Sequence, residues 1–301
     1  MIKPHISTFF RRDITSHADI DFVDLNPATD AKLFIDPCLI KTNRDEFCVN
    51  AQRTIDSFFD NLYGCYKLSN DSPEIDALLQ HTRERNEARL GYGNGRNGKG
   101  RTHEEMKRIL ADLHTLINNG IHMESPIDLP LFLYNFAEDC MSDMLVNILY
   151  KDLSEFTLQQ CTKYGIETCP SKNDRYYWDT RTSSWQLYTG NWLQVDGKPL
   201  ILMPKQIMRK RFYYNTAQYF SSMIVSRLQA DQTEYIEGKK VKPDKKDITK
   251  TELEHFGSML AAVRHHTLRN PAYLSDHHKQ MQSAYTGRGM SDDELDELIY
   301  G

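Results

Sequence analysis

Several features are missing from this 301-residue chain, and each absence removes a class of protein. No Cys-x-x-Cys pair occurs. The six cysteines, Cys38, Cys48, Cys65, Cys140, Cys161 and Cys169, are too scattered for a zinc ribbon or a thioredoxin motif. No apolar run approaches the roughly 20 residues of a membrane span. The opening MIKPHISTFFRRDITSH lacks the apolar segment of a secretory signal, so a reducing cytoplasm with free thiols is the expected setting. Neither an internal repeat nor a low-complexity tract is present. A net charge of −5 argues against a chain that coats nucleic acid uniformly, although a local basic groove stays compatible with it. No Ser-His-Asp or Cys-His order can be traced.

What is present suits a packed globular protein. Hydrophobic residues make up 40% and charged residues 26%, and the chain is long enough for a sizeable core. Ile20, Phe22 and Leu25 suggest a short strand, and Leu33-Phe34-Ile35 a second that stops at Asp36-Pro37. Residues 45–68 read as a helix with Phe47, Ala51, Ile55, Phe58, Phe59 and Leu62 as its core stripe and Gly64 as its terminator. A second helix follows over 69–90, with Pro73 near its start. Residues 103–121 read as a third, ended by Asn118-Asn119-Gly120. On it Arg108 and His114 have the spacing of the R-x(4–6)-H pattern of HEPN ribonucleases; two exposed helix residues are the plainer reading. IDLPLFLYNF, 127–136, reads as a buried strand.

The organising element is 136–165, FAEDCMSDMLVNILYKDLSEFTLQQCTKYG. Met141, Leu145, Ile148, Leu149, Leu153, Phe156 and Tyr164 recur at helical steps. At its head stand Glu138, Asp139, Ser142 and Asp143, and Asp139, Asp143 and Asn147 share one face. Two readings are open. Acids and Ser at a helix start satisfy free N–H groups and suit the dipole. Alternatively, the carboxylates form a metal or acid/base cluster.

Residues 173–205 carry Trp, Tyr and turn signals and read as a hairpin followed by a strand over 200–203. A helix is expected from Lys205 to about 230, with Lys205, Arg209, Lys210 and Arg211 beside Phe212, Tyr213 and Tyr214, a mixture that suits phosphate and base contacts. Residues 231–250 read as a lysine-rich linker, and 251–301 as a helical C-terminal extension ending in SDDELDELIYG, where Ser291 and Glu294 have capping-box spacing. The loop GYGNGRNGKGRT, 91–102, fits G-x-x-x-x-G-K, but Gly100 replaces the Ser or Thr of a phosphate loop and a helix, not a strand, precedes it. Its Arg96, Lys99 and Arg101 could still hold a phosphate. Adjacent histidines, His265-His266 and His277-His278, diverge by about 100° on a helix and rarely share a metal.

Asp36 after a strand, Glu138, Asp139 and Asp143 at a helix head and Lys205 after a strand together supply what a Mg²⁺-dependent phosphodiester nuclease needs. Asp36, Glu138, Asp139 and Asp143 would be the metal ligands; Asp36, Asp139 and Asp143 would act with Lys205, which positions water. The usual PD-(D/E)xK spacing would put an acid two residues before that lysine, where Met203 stands. As a set, FIDP (34–37), LGYG with GKG (90–93 and 98–100), EDCMSDMLVNIL (138–149) and LILMPK (200–205) resemble an uncharacterised bacterial family found beside mobile or phage-defence genes. The resemblance spans about 30–215 and implies a defence context, with no activity carried over. The expectation is a helix-dominated α+β fold, with a small sheet from segments near 20–36, 127–136 and 185–203 and a main domain over 1–230. Two functions remain: a metal-dependent nuclease acting on nucleic acid, or a non-catalytic subunit that docks to a partner ATPase or nuclease.

Overall fold

The computed structural model of the chain describes residues 5–10, 14–83, 85–91, 102–123, 125–171, 175–212, 214–284 and 289–301. Its fold is α+β and dominated by helices. A short helix α1 (Ile6–Phe9) leads to strand β1 (Phe34–Ile35). Helix α2 (Pro37–Thr42) starts immediately after it, because Asp36 caps it through the Cys38 N–H and Pro37 lacks an N–H that would need a partner. Next is α3 (Glu46–Leu68), capped by Asp45, whose predicted stripe is buried except for the half-buried Phe47. Gly64 does not end it; the helix runs one more turn because no side chain is needed on that face.

The charged stretch 69–90 forms only α4 (Pro73–Leu79) and a 3₁₀ turn. Helices α5 (His103–Leu110) and α6 (Asp112–Asn118) divide the predicted third helix at Ala111. Arg108 donates to the Glu104 carbonyl, and His114 bonds the Tyr66 carbonyl, so both serve the helices they stand on and against.

Segment 127–136 is not a strand. Pro126 and Pro130 sit at the first turns of a 3₁₀ turn and of α7 (Leu129–Phe132), where a fixed φ and a missing N–H favour helix. The organising element bends at Leu149 into α8 (Glu138–Ile148) and α9 (Tyr150–Tyr164), and Gly165 closes α9 in the left-handed conformation.

Strand residues are divided among four small antiparallel sheets within the described residues. Strand β2 (Cys169–Pro170) pairs with β5 (Asn191–Val195), which pairs with β6 (Lys198–Leu200); between them β3 (Tyr176–Asp179) and β4 (Ser184–Leu187) form a hairpin. Trp178 and Trp185 of that hairpin pack edge-on against each other and against Phe58 of α3. The basic segment makes only one 3₁₀ turn over Lys205–Ile207 and does not continue as a helix. Residues 208–209 form β7 (Met208–Arg209), which pairs with β1 in the register Phe34↔Arg209 and Ile35↔Met208. The helix starts only at α10 (Thr216–Tyr219), capped by Asn215, and passes through one wide π turn over 220–224 into α11 (Val225–Asp231).

The expected linker over 231–250 is ordered structure. A hairpin of β8 (Glu234–Ile236) and β9 (Lys239–Val241) turns at Glu237-Gly238, both with positive φ, as a two-residue hairpin loop requires. Asp244 then caps α12 (Lys245–Phe256). Helices α13 (Met259–Arg269), α14 (Ala272–Ala284) and α15 (Asp292–Tyr300) complete the chain. They are tied to the rest: Arg264 donates to the Phe132 carbonyl at 2.6 and 2.8 Å, and His278 reaches Asp128 at 2.6 Å. No helix among the described residues is long and apolar enough to cross a membrane.

Candidate functional site

Strand β1 and the head of α8 meet directly. The buried Ser142 hydroxyl accepts the Ile35 N–H at 3.1 Å. One residue beyond this contact on each side stand Asp36 and Asp143, so the fold brings two of the candidate acids to one junction. Asp36 is 2% exposed. Its Oδ1 accepts the Cys38 N–H at 2.8 Å, and its Oδ2 lies 3.1 Å from Arg209 Nε. The β1–β7 register places Arg209 there, opposite Phe34. Two distant sequence signals, an acid after one strand and an arginine in a basic run, thus become one buried ion pair.

The rest of the α8 head is used as well. Glu138 and Asp139 occupy its first turn, where Ala137 offers no capping side chain. Asp139 fills that role, its carboxylate accepting the Cys140 N–H at 2.8 Å. Further along the same face, Asn147 is fully buried. Its amide donates to the carbonyls of Arg83 (2.5 Å) and Asp143 (2.8 Å), and its oxygen accepts from Arg85 Nε at 2.6 Å. Arg85 in turn lies over the Tyr150 ring, 5.9 Å from its centroid.

Lys205 does not face this junction. Its ammonium donates to the His17 carbonyl at 2.5 Å and to Asp292 of α15 at 2.7 Å. Lys205, expected as the water-positioning helper of the acids, is paired with the C-terminal helix, because α15 brings a carboxylate to it. Of the basic cluster, Arg209 is taken by Asp36, while Lys210 and Arg211 are exposed. Arg96, Lys99 and Arg101 lie outside the described residues.

Among the described residues no group of three or more His, Cys, Asp or Glu side chains is arranged to hold a metal ion. Of the four expected ligands, Asp36 is committed to a guanidinium and a helix N-terminus. Thiol chemistry is disfavoured at Cys38: burial, then the neighbouring Asp36, push its thiol well above the usual range. The histidine pairs also go separate ways. His266 reaches Glu252 at 2.7 Å and His278 reaches Asp128.

His277, noted in the sequence only as one of a histidine pair, has surroundings that no local pattern marks. It is fully buried among Tyr214, Tyr219 and His278, and neither ring nitrogen has a hydrogen-bond partner among the described residues. Burial, then His278, lower its pKa from 6.5 to about 4. The folded chain therefore binds fewer protons than the unfolded one between these values, and the contribution of His277 to stability rises with pH across that window. Asp152 works in the opposite sense. Burial, then Glu155, raise its carboxyl from 3.8 to about 6, so its contribution falls as pH rises. A melting curve of the parent protein mixes the two. His277→Phe separates them: it removes two orphaned polar atoms worth about 1–3 kcal/mol. The melting temperature at pH 7 should rise, and its pH dependence between about 4 and 6.5 should lose the upward component. A fall at pH 7 with both His277→Phe and His277→Leu would mean that the imidazole does have a partner.

A family described as a domain of unknown function, DUF8370, matches residues 13–215. The chain belongs to the DUF8370 family. The match covers the β1–α8 junction, the buried Asp36–Arg209 pair and Lys205, and stops short of the π turn, the β8–β9 hairpin and the C-terminal helices of this DUF8370 protein. Comparison with the curated proteins and with the solved structures returns no match.

Proposed function

We propose that this DUF8370 protein is a component of a bacterial antiviral (phage) defence system and serves there as a non-catalytic subunit that docks to a partner ATPase or nuclease. The carrying observation is the Asp36–Arg209 pair: the acid best placed for chemistry is spent on a buried ion pair and a helix cap. The defence context rests on the resemblance of the FIDP, LGYG, EDCMSDMLVNIL and LILMPK segments.

A surface suited to docking supports the same reading. On the β8–β9 hairpin Tyr235, Ile236 and Val241 are 71, 53 and 46% exposed, and Lys239 and Lys240 stand between them. Beside it, an open groove of about 580 Å³ between the π turn and α12 has Val225 and Leu253 as its floor and Lys245, Lys246 and Lys250 along its rim. Apolar side chains beside three lysines and one glutamate, Glu254, leave a net positive lining and favour an acidic, partly apolar partner surface.

A metal-dependent nuclease is the second reading, favoured by the Ser142–Ile35 contact that sets Asp36 and Asp143 at one junction. One set of variants separates the two. For a docking subunit, Tyr235→Ser with Ile236→Ser abolishes phage protection in a plaque assay without lowering the melting temperature. Asp143→Asn leaves protection intact, and millimolar Mg²⁺ or Mn²⁺ leaves the melting curve unmoved. Under the nuclease reading a carboxylate metal site raises the melting temperature, and Asp143→Asn abolishes protection. Full protection by the hairpin variant would sink the docking assignment.

A further inference from the structure

Arg89 is held in an unusual way. Its backbone is left-handed, with φ 53° and ψ 38°, which a long side chain adopts at a cost that Gly or Asn avoids. Contacts on both sides impose that conformation. The Ala31 N–H donates to the Arg89 carbonyl at 2.9 Å, and the Gly91 N–H donates to the Ala31 carbonyl at 3.0 Å. Two residues earlier, Glu87 is fastened by Arg175 at 2.5 Å and by the Ile201 N–H on its carbonyl at 3.0 Å. The backbone is over-determined, and the side chain it aims is a poor fit for structure alone.

That side chain is largely shielded, yet its pairing is weak. Arg89 Nη1 lies 3.9 Å from Asp30, beyond hydrogen-bond length, and its Nε is buried with no hydrogen-bond partner among the described residues. Burial raises the carboxyl pKa of Asp30, with Arg89 opposing, so the acid is itself an incomplete counter-charge. A guanidinium in such surroundings is under-satisfied.

Beside it is a cavity of about 100 Å³. Phe9, Val195 and Leu200 supply apolar walls, and the β5–β6 turn brings Lys198 and Asp196 to its exposed rim. Arg89 and Lys198 against Asp196 leave the lining with two positive charges and one negative, a net +1. The volume equals about three liquid waters. That suits a small oxyanion group. Among oxyanions, carboxylate and phosphate match the planar fork of arginine and can receive two parallel hydrogen bonds from it.

We propose that Arg89, assisted by Lys198, forms a binding site for a small oxyanion group, a carboxylate or a phosphate, in the cavity between the residue 27–28 turn and the β5–β6 hairpin. The site is independent of the docking face and of the α8 junction. The backbone bonds that hold Arg89 left-handed also fix where its side chain starts beside the cavity.

The test is thermal melting of the full chain with inorganic phosphate, acetate or a nucleoside 5′-monophosphate, each at ionic strength matched with sodium chloride. A saturable rise in melting temperature is expected with at least one probe and none with chloride. Acetate alone would identify a carboxylate ligand, phosphate alone a free phosphate, and the nucleotide acting at lower concentration than phosphate a phosphoryl group on a larger molecule. Arg89→Asn, which tolerates the left-handed backbone, should melt no lower than the parent without ligand and should lose the response. Lys198→Gln should need about tenfold more ligand for the same rise, as loss of one charged contact implies. Absence of any saturable rise up to tens of millimolar, or an undiminished response in Arg89→Asn, overturns the proposal. If Arg89→Asn fails to fold, an unchanged saturation concentration in Lys198→Gln overturns it instead.

Discussion

Replacing Arg209 by methionine lowers the unfolding free energy by about 3–5 kcal/mol, the cost of leaving one partner of a buried ion pair uncompensated. The Asp36 side chain is 3% exposed and that of Arg209 12%, so solvent cannot take over the role of the missing guanidinium. The charge on Asp36 cannot simply be discarded either, because its other oxygen caps α2. A second variant isolates the cause. Asp36→Asn keeps a capping oxygen, and combined with Arg209→Met it removes both charges. The double variant should regain most of the lost stability in a urea or guanidinium titration. A single variant within about 0.5 kcal/mol of the parent would mean that the pair contributes no more than an exposed one. The docking assignment would then lose its main support, for Asp36 would again be available to other chemistry.

Deleting residues 291–301 should be nearly as costly. Leu295 of α15 is fully buried, which is worth about 1.5–3 kcal/mol on its own. The same helix satisfies groups that water cannot reach. The Tyr300 hydroxyl donates to the fully buried Asp24, which the Ser7 N–H and hydroxyl also hold, and Asp296 accepts the His17 backbone N–H at 2.8 Å and bonds its ring. A loss of roughly 3 kcal/mol or more corresponds to a fall in melting temperature on the order of 5–10 °C. Part of this contribution titrates. Burial pushes the Asp296 carboxyl up, but the hydrogen bonds from His17 outweigh it and hold the pKa below 3.8. A depressed carboxyl stabilises the fold above its unfolded value and loses that contribution as pH falls through the folded one. The difference between parent and truncated chains should therefore shrink below about pH 4 and be full at neutrality. The truncation also frees Lys205 and removes five acidic residues. Binding to single-stranded nucleic acid at low salt should strengthen and then weaken again as salt is raised. An unchanged melting temperature would show that α15 is not seated on the body; unchanged affinity at every ionic strength would show that it shields no basic surface.

Much of the local structure is legible in the chain. The α3 stripe, Pro73 at the start of α4 and the Ser291–Glu294 capping box all depend on neighbours three to five residues away, and each occurs as the spacing predicts. Errors concentrate where the deciding partner is remote. Residues 205–214 carry helix-forming and basic residues, but Met208 and Arg209 are claimed as a strand by Phe34 and Ile35 across more than 170 residues of chain. Segment 127–136 looks like a buried strand because it is apolar; apolar runs of that length fit either state, and the two prolines at helix first turns decide. The hairpin within the expected linker has an exposed apolar face, so no core periodicity marks it.

The candidate site divides in the same manner. By itself the sequence determined the helix-dominated α+β class, the clustering of acids at the head of α8 and the opposite charges of the basic segment and the C-terminal helix, since composition and short-range periodicity carry these. Tertiary structure alone decided which charge meets which: Asp36 with Arg209, Lys205 with Asp292, His278 with Asp128, and Arg89 left beside a cavity. The reason is physical. A helix is stabilised by contacts within one or two turns, so its signals are local, whereas an ion pair is chosen by which backbones pack together and by how much water they exclude.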